Sequence, residues 1–106
     1  MYGNIDGYSC MLKEPLILPY GLSSIIIARN VEIGKHVAIY QHVTIAESDK
    51  LKKTIIDDNV IIGTGAVILN NPHIGKGAKI DANAVVLTDV PDNATAVGIP
   101  AKIITH

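Results

Sequence analysis

The stretch IDDNVIIGTGAVILNNPHIGKGAKIDANAVV runs from Ile56 to Val86. Ile56, Ile62, Ile68, Ile74, Ile80 and Val86 stand six residues apart in it. Four residues after each comes a second apolar residue: Val60, Ala66, Pro72, Ala78, Ala84 and Val90. The same ladder stands upstream as Ile27, Ile33, Ile39 and Ile45, with Val31, Val37 and Val43, for ten hexads in all. A helix buries residues at a period of 3.6 and a half-buried strand at 2. Period six matches neither alone. It matches short strands joined by tight corners, each hexad forming one side of a prism. Gly34, Gly63 and Gly75 follow ladder residues, where a chain turning a corner is expected to use a residue without Cβ.

Composition agrees with a layered core. The chain has 106 residues, 48% of them hydrophobic, yet only 4% aromatic, all Tyr. The interior must therefore be built from repeated Ile, Val and Ala instead of large rings. A net charge of −1, spread along the chain, argues against a nucleic-acid or anionic-membrane partner. The single cysteine, Cys10, excludes an internal disulfide and fits a reducing cytosol. Residues 1–12 lack the basic and apolar pattern of a signal peptide, and no apolar run approaches the ~18 residues of a membrane span. A cytoplasmic location is expected.

The ladder slips once. Ile45 and Ile56 are eleven apart, and the surplus falls in the polar segment AESDKLKKT, Ala46–Thr54. This is expected to be an excursion loop thrown out from a corner. It is either a solvated insertion or a wall of a site. Residues 1–21 show no clean hexad and are expected to form an irregular lead-in and cap. Residues 22–90 form the prism, and 91–106, broken by Pro91, Gly98 and Pro100, a second cap or tail. A short prism exposes much apolar side surface, so self-association is expected.

The hexads resemble those of the left-handed parallel β-helix, over residues 22–104. The resemblance, and no general rule, supplies the left hand, since parallel crossovers are normally right-handed. It also implies three hexads per coil, stacking residues 18 apart. VGIPAKII (Val97–Ile104) is similar to the C-terminal signature of hexapeptide-repeat acyltransferases. IGKHVAIYQHVTI, a loop, then IIDDNVIIGTGAVIL resemble the serine acetyltransferase branch, as does PLILPYGLSSIII. The helical region that precedes the repeats in full serine acetyltransferases has no counterpart in these residues.

The resemblance implies a homotrimer of parallel prisms with acetyl-CoA in the groove between subunits. A histidine then takes the proton of an acceptor hydroxyl, on serine or a sugar, as it attacks the thioester. Such a hydroxyl is a poor nucleophile without a base. The pantetheine contacts of the family fall on Thr64 and Ala82, both third in their hexads and 18 apart, and Gln41 extends that column. Lys102 falls at the basic position near the nucleotide, where a cation suits the 3′-phosphate. At the family's LPHG histidine this chain has Tyr20, whose side-chain type ionises near pH 10 and is a weak base at neutral pH. The family's second histidine corresponds to Lys53.

His36 and His42 occupy the fourth position of consecutive hexads and point outward from different faces, so within one chain they cannot converge. His42 shares a face with Gln41 and Thr64. It either looks into the groove as a substitute base or packs at the trimer contact. His73 is expected in a solvated turn, and His106 is the mobile last residue. Glu47, Asp49, Lys50, Lys52 and Lys53 form either a charged rim or a solvated loop. Asp57, Asp58 and Asp81 are expected to bond backbone N–H groups at corners. No metal is expected: a zinc site of the kind carbonic anhydrases build on this fold needs three convergent histidines. Two readings remain, an acetyl-CoA-dependent O-acyltransferase and a trimeric relative that keeps the fold without turnover.

Overall fold

Each hexad resolves into a strand of two or three residues and a corner that turns the chain onto the next face. A computed structural model describes residues 4–5, 11–12, 16–17, 25–28, 30–46, 49 and 51–106, with side chains from residue 25 onward. In chain order the strands are β1 (Asn4–Ile5), β2 (Met11–Leu12), β3 (Leu16–Ile17), β4 (Ile26–Ile27) and β5 (Val31–Ile33). There follow β6 (Val37–Ile39), β7 (Thr44–Ile45), β8 (Thr54–Ile56), β9 (Ile61–Ile62) and β10 (Val67–Ile68). The last are β11 (His73–Ile74), β12 (Lys79–Ile80), β13 (Val85–Val86), β14 (Thr95–Val97) and β15 (Lys102–Ile104). Up to β13 strands three apart pair in parallel, then β14 pairs in parallel with β12 and β15 antiparallel with β14, giving three sheets: β1-β4-β7-β10-β13, β2-β5-β8-β11, and β3-β6-β9-β12-β14-β15. They are called the first, second and third sheets. No helix occurs among the described residues, and none is long and apolar enough to cross a membrane.

The interior is the predicted ladder. Ile27, Ile33, Ile39, Ile45, Ile56, Ile62, Ile68, Ile74, Ile80 and Val86 are all buried. So are their smaller companions from Val31 to Val90, including Pro72. Each buried Ile or Val contributes about 1.5–3 kcal/mol relative to exposure. Every coil presents the same cross-section, so identical residues stack on one another and no large ring is needed to fill a gap.

The corners correct the reading of the glycines. Gly34, Gly63 and Gly75 are not among the residues with positive φ. They are small because the next coil passes against them. A Cβ on Gly34 would lie 2.8 Å from the backbone N of Asp58, and one on Gly75 only 2.6 Å from the backbone N of Asp92. The left-handed conformation belongs to the fourth hexad position instead. It is held there by Asn30, His36, His42, Asn59, Gly65, Asn71, Gly77 and Asn83, with φ between 50° and 74°. Asparagine and histidine are enriched in that region among residues with a Cβ. The two histidines are thus spaced by a backbone requirement.

Aspartates tie coils together at these corners. The Lys35 N–H donates to Asp58 Oδ1 at 2.7 Å, and the Lys76 N–H to Asp92 Oδ1 at 2.9 Å. Asp58 therefore does what was expected of it. Asp57 does not: its Oδ2 lies 2.6 Å from His73 Nε2.

Among the described residues the coil length departs from 18 three times, first in the lead-in, where Asn4 pairs with Ile26 and Met11 with Glu32. Between β7 and β10 the excursion makes stacked residues 23 apart, as in the pair of Gln41 and Thr64. After β13 the corner is two residues short. Val90 bridges Ile74, so it takes a first ladder position where the sequence assigned it a companion position. Parallel pairing then continues through β14, so the coils pass the boundary drawn at residue 90. β15 folds back antiparallel on β14, with Val97 opposite Lys102.

Candidate functional site

The corner between the third and first sheets carries the column. The Gly65 N–H donates to Gln41 O at 3.0 Å, and the Asn83 N–H to Thr64 O at 2.8 Å. These bonds stack Gln41, Thr64 and Ala82 as the repeat arithmetic requires. Adjacent strands are about 4.8 Å apart, so the column spans roughly 10 Å. Thr64 Oγ1 approaches Gln41 Oε1 at 3.4 Å, a long and weak contact. Gln41 and Thr64 are half-buried and Ala82 is exposed. Gly63 beside them has no room for a side chain, because its Cβ would lie 2.7 Å from Ala82 N. The result is a low wall bearing a hydroxyl and an amide.

The far end of the column is closed by the chain crossing over the end of the first sheet. Val85 N–H donates to Gly98 O at 3.0 Å, and Ala101 N–H to Val85 O at 2.8 Å. The register of β15 sets Lys102, which is exposed, opposite Val97, next to Gly98. Lys102 therefore stands at the C-terminal end of the column.

The histidines are dispersed. His42, exposed, follows Gln41 on the same corner. His36 stands on the corner between the second and third sheets. His73 opens β11 on the second sheet instead of lying in a solvated turn, because the register places Ile74 opposite Ile56. Its N–H donates to Asp89 Oδ1 at 2.8 Å. His106 is also bonded: its Nε2 lies 3.0 Å from Thr95 Oγ1. Among the described residues, no three His, Cys, Asp or Glu side chains are grouped to hold a metal. Tyr20, Glu47 and Lys50 lie outside the described residues.

Lys53 is committed elsewhere. Its Nζ donates to Glu32 Oε1 at 3.0 Å and holds the base of the loop to the second sheet. The loop joins the first and second sheets, across the first sheet from the column. Asp49 N–H donates to Asn71 Oδ1 at 3.0 Å, and Leu51 N–H to Asp49 Oδ1 at 2.9 Å. Leu51 is 95% exposed.

The outer face of the first sheet went unidentified in the sequence. Its described outward residues, Ile26, Thr44, Val67 and Val85, stack in register, and Ala28, Ala46, Leu69 and Leu87 flank them. None carries a charge, while Ile26 is 46% and Leu87 38% exposed. The second sheet shows Glu32 and His73 outward, and the third Lys79. The available signal was the sixth hexad position, uncharged on the first sheet at Ile26, Thr44, Val67 and Val85, whereas the other faces mix Ala38, Ile55 and Ile61 with Glu32, His73 and Lys79 there.

No family model matches the chain. It is 45% identical over 86 residues to a serine acetyltransferase of Bacillus pumilus, covering 77% of this chain and 39% of the relative. It is 40% identical over 93 residues to one of Helicobacter pylori, covering 85% of this chain and 54% of the relative. Among solved structures, a serine acetyltransferase complexed with CoA matches 96% of this chain and 42% of its own, with TM-score 0.88 and 35% identity. The Neisseria gonorrhoeae serine acetyltransferase in complex with serine matches 94% of this chain and 41% of its own, with TM-score 0.86 and 34% identity. The fold is the left-handed parallel β-helix of those structures. The chain spans about two fifths of the length of the Bacillus pumilus relative, 39%.

Proposed function

From its place in the serine acetyltransferase-like branch of the hexapeptide-repeat acyltransferases, to which the chain belongs over its β-helix, we propose that it transfers acetyl from acetyl-CoA to a hydroxyl of a small acceptor, serine or a sugar. The observation that carries this is the column Gln41, Thr64 and Ala82 in unbroken register with Lys102 at its end. The protein works as a homotrimer of parallel prisms. The uncharged first sheets turn toward the common axis. The column corner of one subunit then stands beside the excursion loop of the next, and the groove lies between them.

In this reading Lys102 pairs with the 3′-phosphate. Thr64 and Gln41 offer hydrogen bonds to the amides of the pantetheine arm, and Ala82 and Gly63 keep the wall low enough for it. A ring nitrogen of His42 takes the acceptor proton as the oxygen bonds the acetyl carbon. The carbon–sulfur bond breaks, and the proton passes to the departing sulfur. Tyr20 helps position the hydroxyl. The test is CoA release with serine and with sugars. Turnover is expected, and His42→Ala should reduce kcat by ~10²-fold or more, the usual share of a general base.

A second reading has one observation in its favour. Tyr20 stands where the branch has its histidine, and no carboxylate orients His42 among the described residues. A trimer that binds CoA but releases none with any acceptor supports this reading and excludes the first.

A further inference from the structure

The outer face of the first sheet carries a single hydroxyl in an aliphatic column. Ile26, Thr44, Val67 and Val85 lie in register on β4, β7, β10 and β13. Adjacent strands are about 4.8 Å apart, so the column presents successive layers, and only the Thr44 layer is polar. Thr44 is half-buried by its own chain alone. Thr54 Oγ1 lies 3.4 Å from Asn71 Nδ2, Thr64 Oγ1 3.4 Å from Gln41 Oε1, and Thr95 Oγ1 3.0 Å from His106 Nε2. The Thr44 hydroxyl has no such contact among the described residues. Its neighbours above and below, Val67 and Ile26, offer it no polar atom.

Its place on the face says what meets it. Val43 and Ile45, on either side of Thr44, are buried in the core, so Thr44 projects outward from the middle of the face. When three equal faces enclose a common axis, their midlines are the lines nearest that axis. The three columns then meet layer by layer. Ile26, Val67 and Val85 supply aliphatic layers, and Thr44 supplies three hydroxyls at one height. A hydroxyl donates one hydrogen bond and can accept another, so three of them close a ring in which each donates to the next.

We infer that three copies of Thr44 form a hydroxyl ring on the trimer axis that fixes the register of the subunits; this rests on the trimeric reading above. A subunit slipped by one coil sets Thr44 against Ile26 or Val67 and buries its hydroxyl without a partner. The aliphatic layers alone do not distinguish the slipped arrangement, because each packs acceptably on the next. One polar layer in an apolar interface specifies register and copy number at a cost in stability, as a buried asparagine does in coiled coils. A slip passed from each subunit to the next does not close on itself, so it yields open assemblies instead of trimers.

Two measurements test this. In a Cys10→Ser background, Thr44→Cys should bind one Cd2+ per three chains, each thiol losing its proton to become a thiolate ligand. Lys79→Cys, at the same hexad position on the third sheet, should bind none at that ratio. A trimeric Thr44→Cys that takes up no Cd2+ overturns the placement on the axis. Thr44→Val keeps the side-chain shape and removes the hydroxyl, while Thr44→Ser keeps the hydroxyl. Sedimentation should give a single trimer for wild type and Thr44→Ser. Thr44→Val should lose the single trimer peak and spread into larger species. A Thr44→Val that stays a single trimer, or that falls to monomers, overturns the register role. A monomeric wild type overturns the underlying trimeric reading instead.

Discussion

His36 and His42 both have φ near 60°, at 58° and 62°, and both are exposed. A β-branched residue pays most for that conformation. His36→Val should therefore destabilise by about 1–2 kcal/mol and His36→Asn hardly at all, measured by denaturant unfolding. The neighbouring second position responds to space and not to φ. Gly75→Ala forces a Cβ against the Asp92 backbone and should cost about 1–3 kcal/mol, measured by denaturant unfolding. The hexad ladder was readable because burial repeats with the period. The reason for glycine at Gly34, Gly63 and Gly75 was not, because it depends on a coil at least 16 residues further along the chain. His73 was misread similarly: Asp57, its partner, lies 16 residues back.

Among the elements, strands of two or three residues have little stability alone, and each is held by those above and below it. The excursion loop is held by Asn71. Asn71→Ala removes the acceptor for Asp49 N–H and leaves the buried Thr54 hydroxyl without its 3.4 Å contact. It should cost about 1–3 kcal/mol and expose the loop to limited proteolysis between residues 47 and 53. Glu32→Ala, which breaks an exposed ion pair, should cost less than about 1 kcal/mol. The loop's existence followed from the slip in the ladder. The anchoring did not, since Asn71 reads equally as an ordinary corner asparagine. The short corner after Val86 was hidden too, because Val90 is apolar and fits either ladder position.

At the scale of the molecule, the three faces differ in character. The first sheet presents Ile26, Val67 and Val85 without a charge, and a trimer that buries it removes that surface from water. On the trimeric reading proposed above, Val85→Lys should yield monomers by sedimentation and lose turnover. Monomers that remain active would assign the site to a single chain. Gln41, Thr64 and Ala82 were legible as a column because they share one hexad position. Lys102 reaches its end through an antiparallel return that no period announces.

The central claim is that this column is the acetyl-CoA wall. Calorimetric titration of acetyl-CoA into wild type and Ala82→Glu tests it most directly. One molecule should bind per subunit, and the glutamate, set into the wall, should weaken binding at least tenfold while Lys76→Glu, on another corner, changes it little. Equal affinity in Ala82→Glu and wild type would contradict the account.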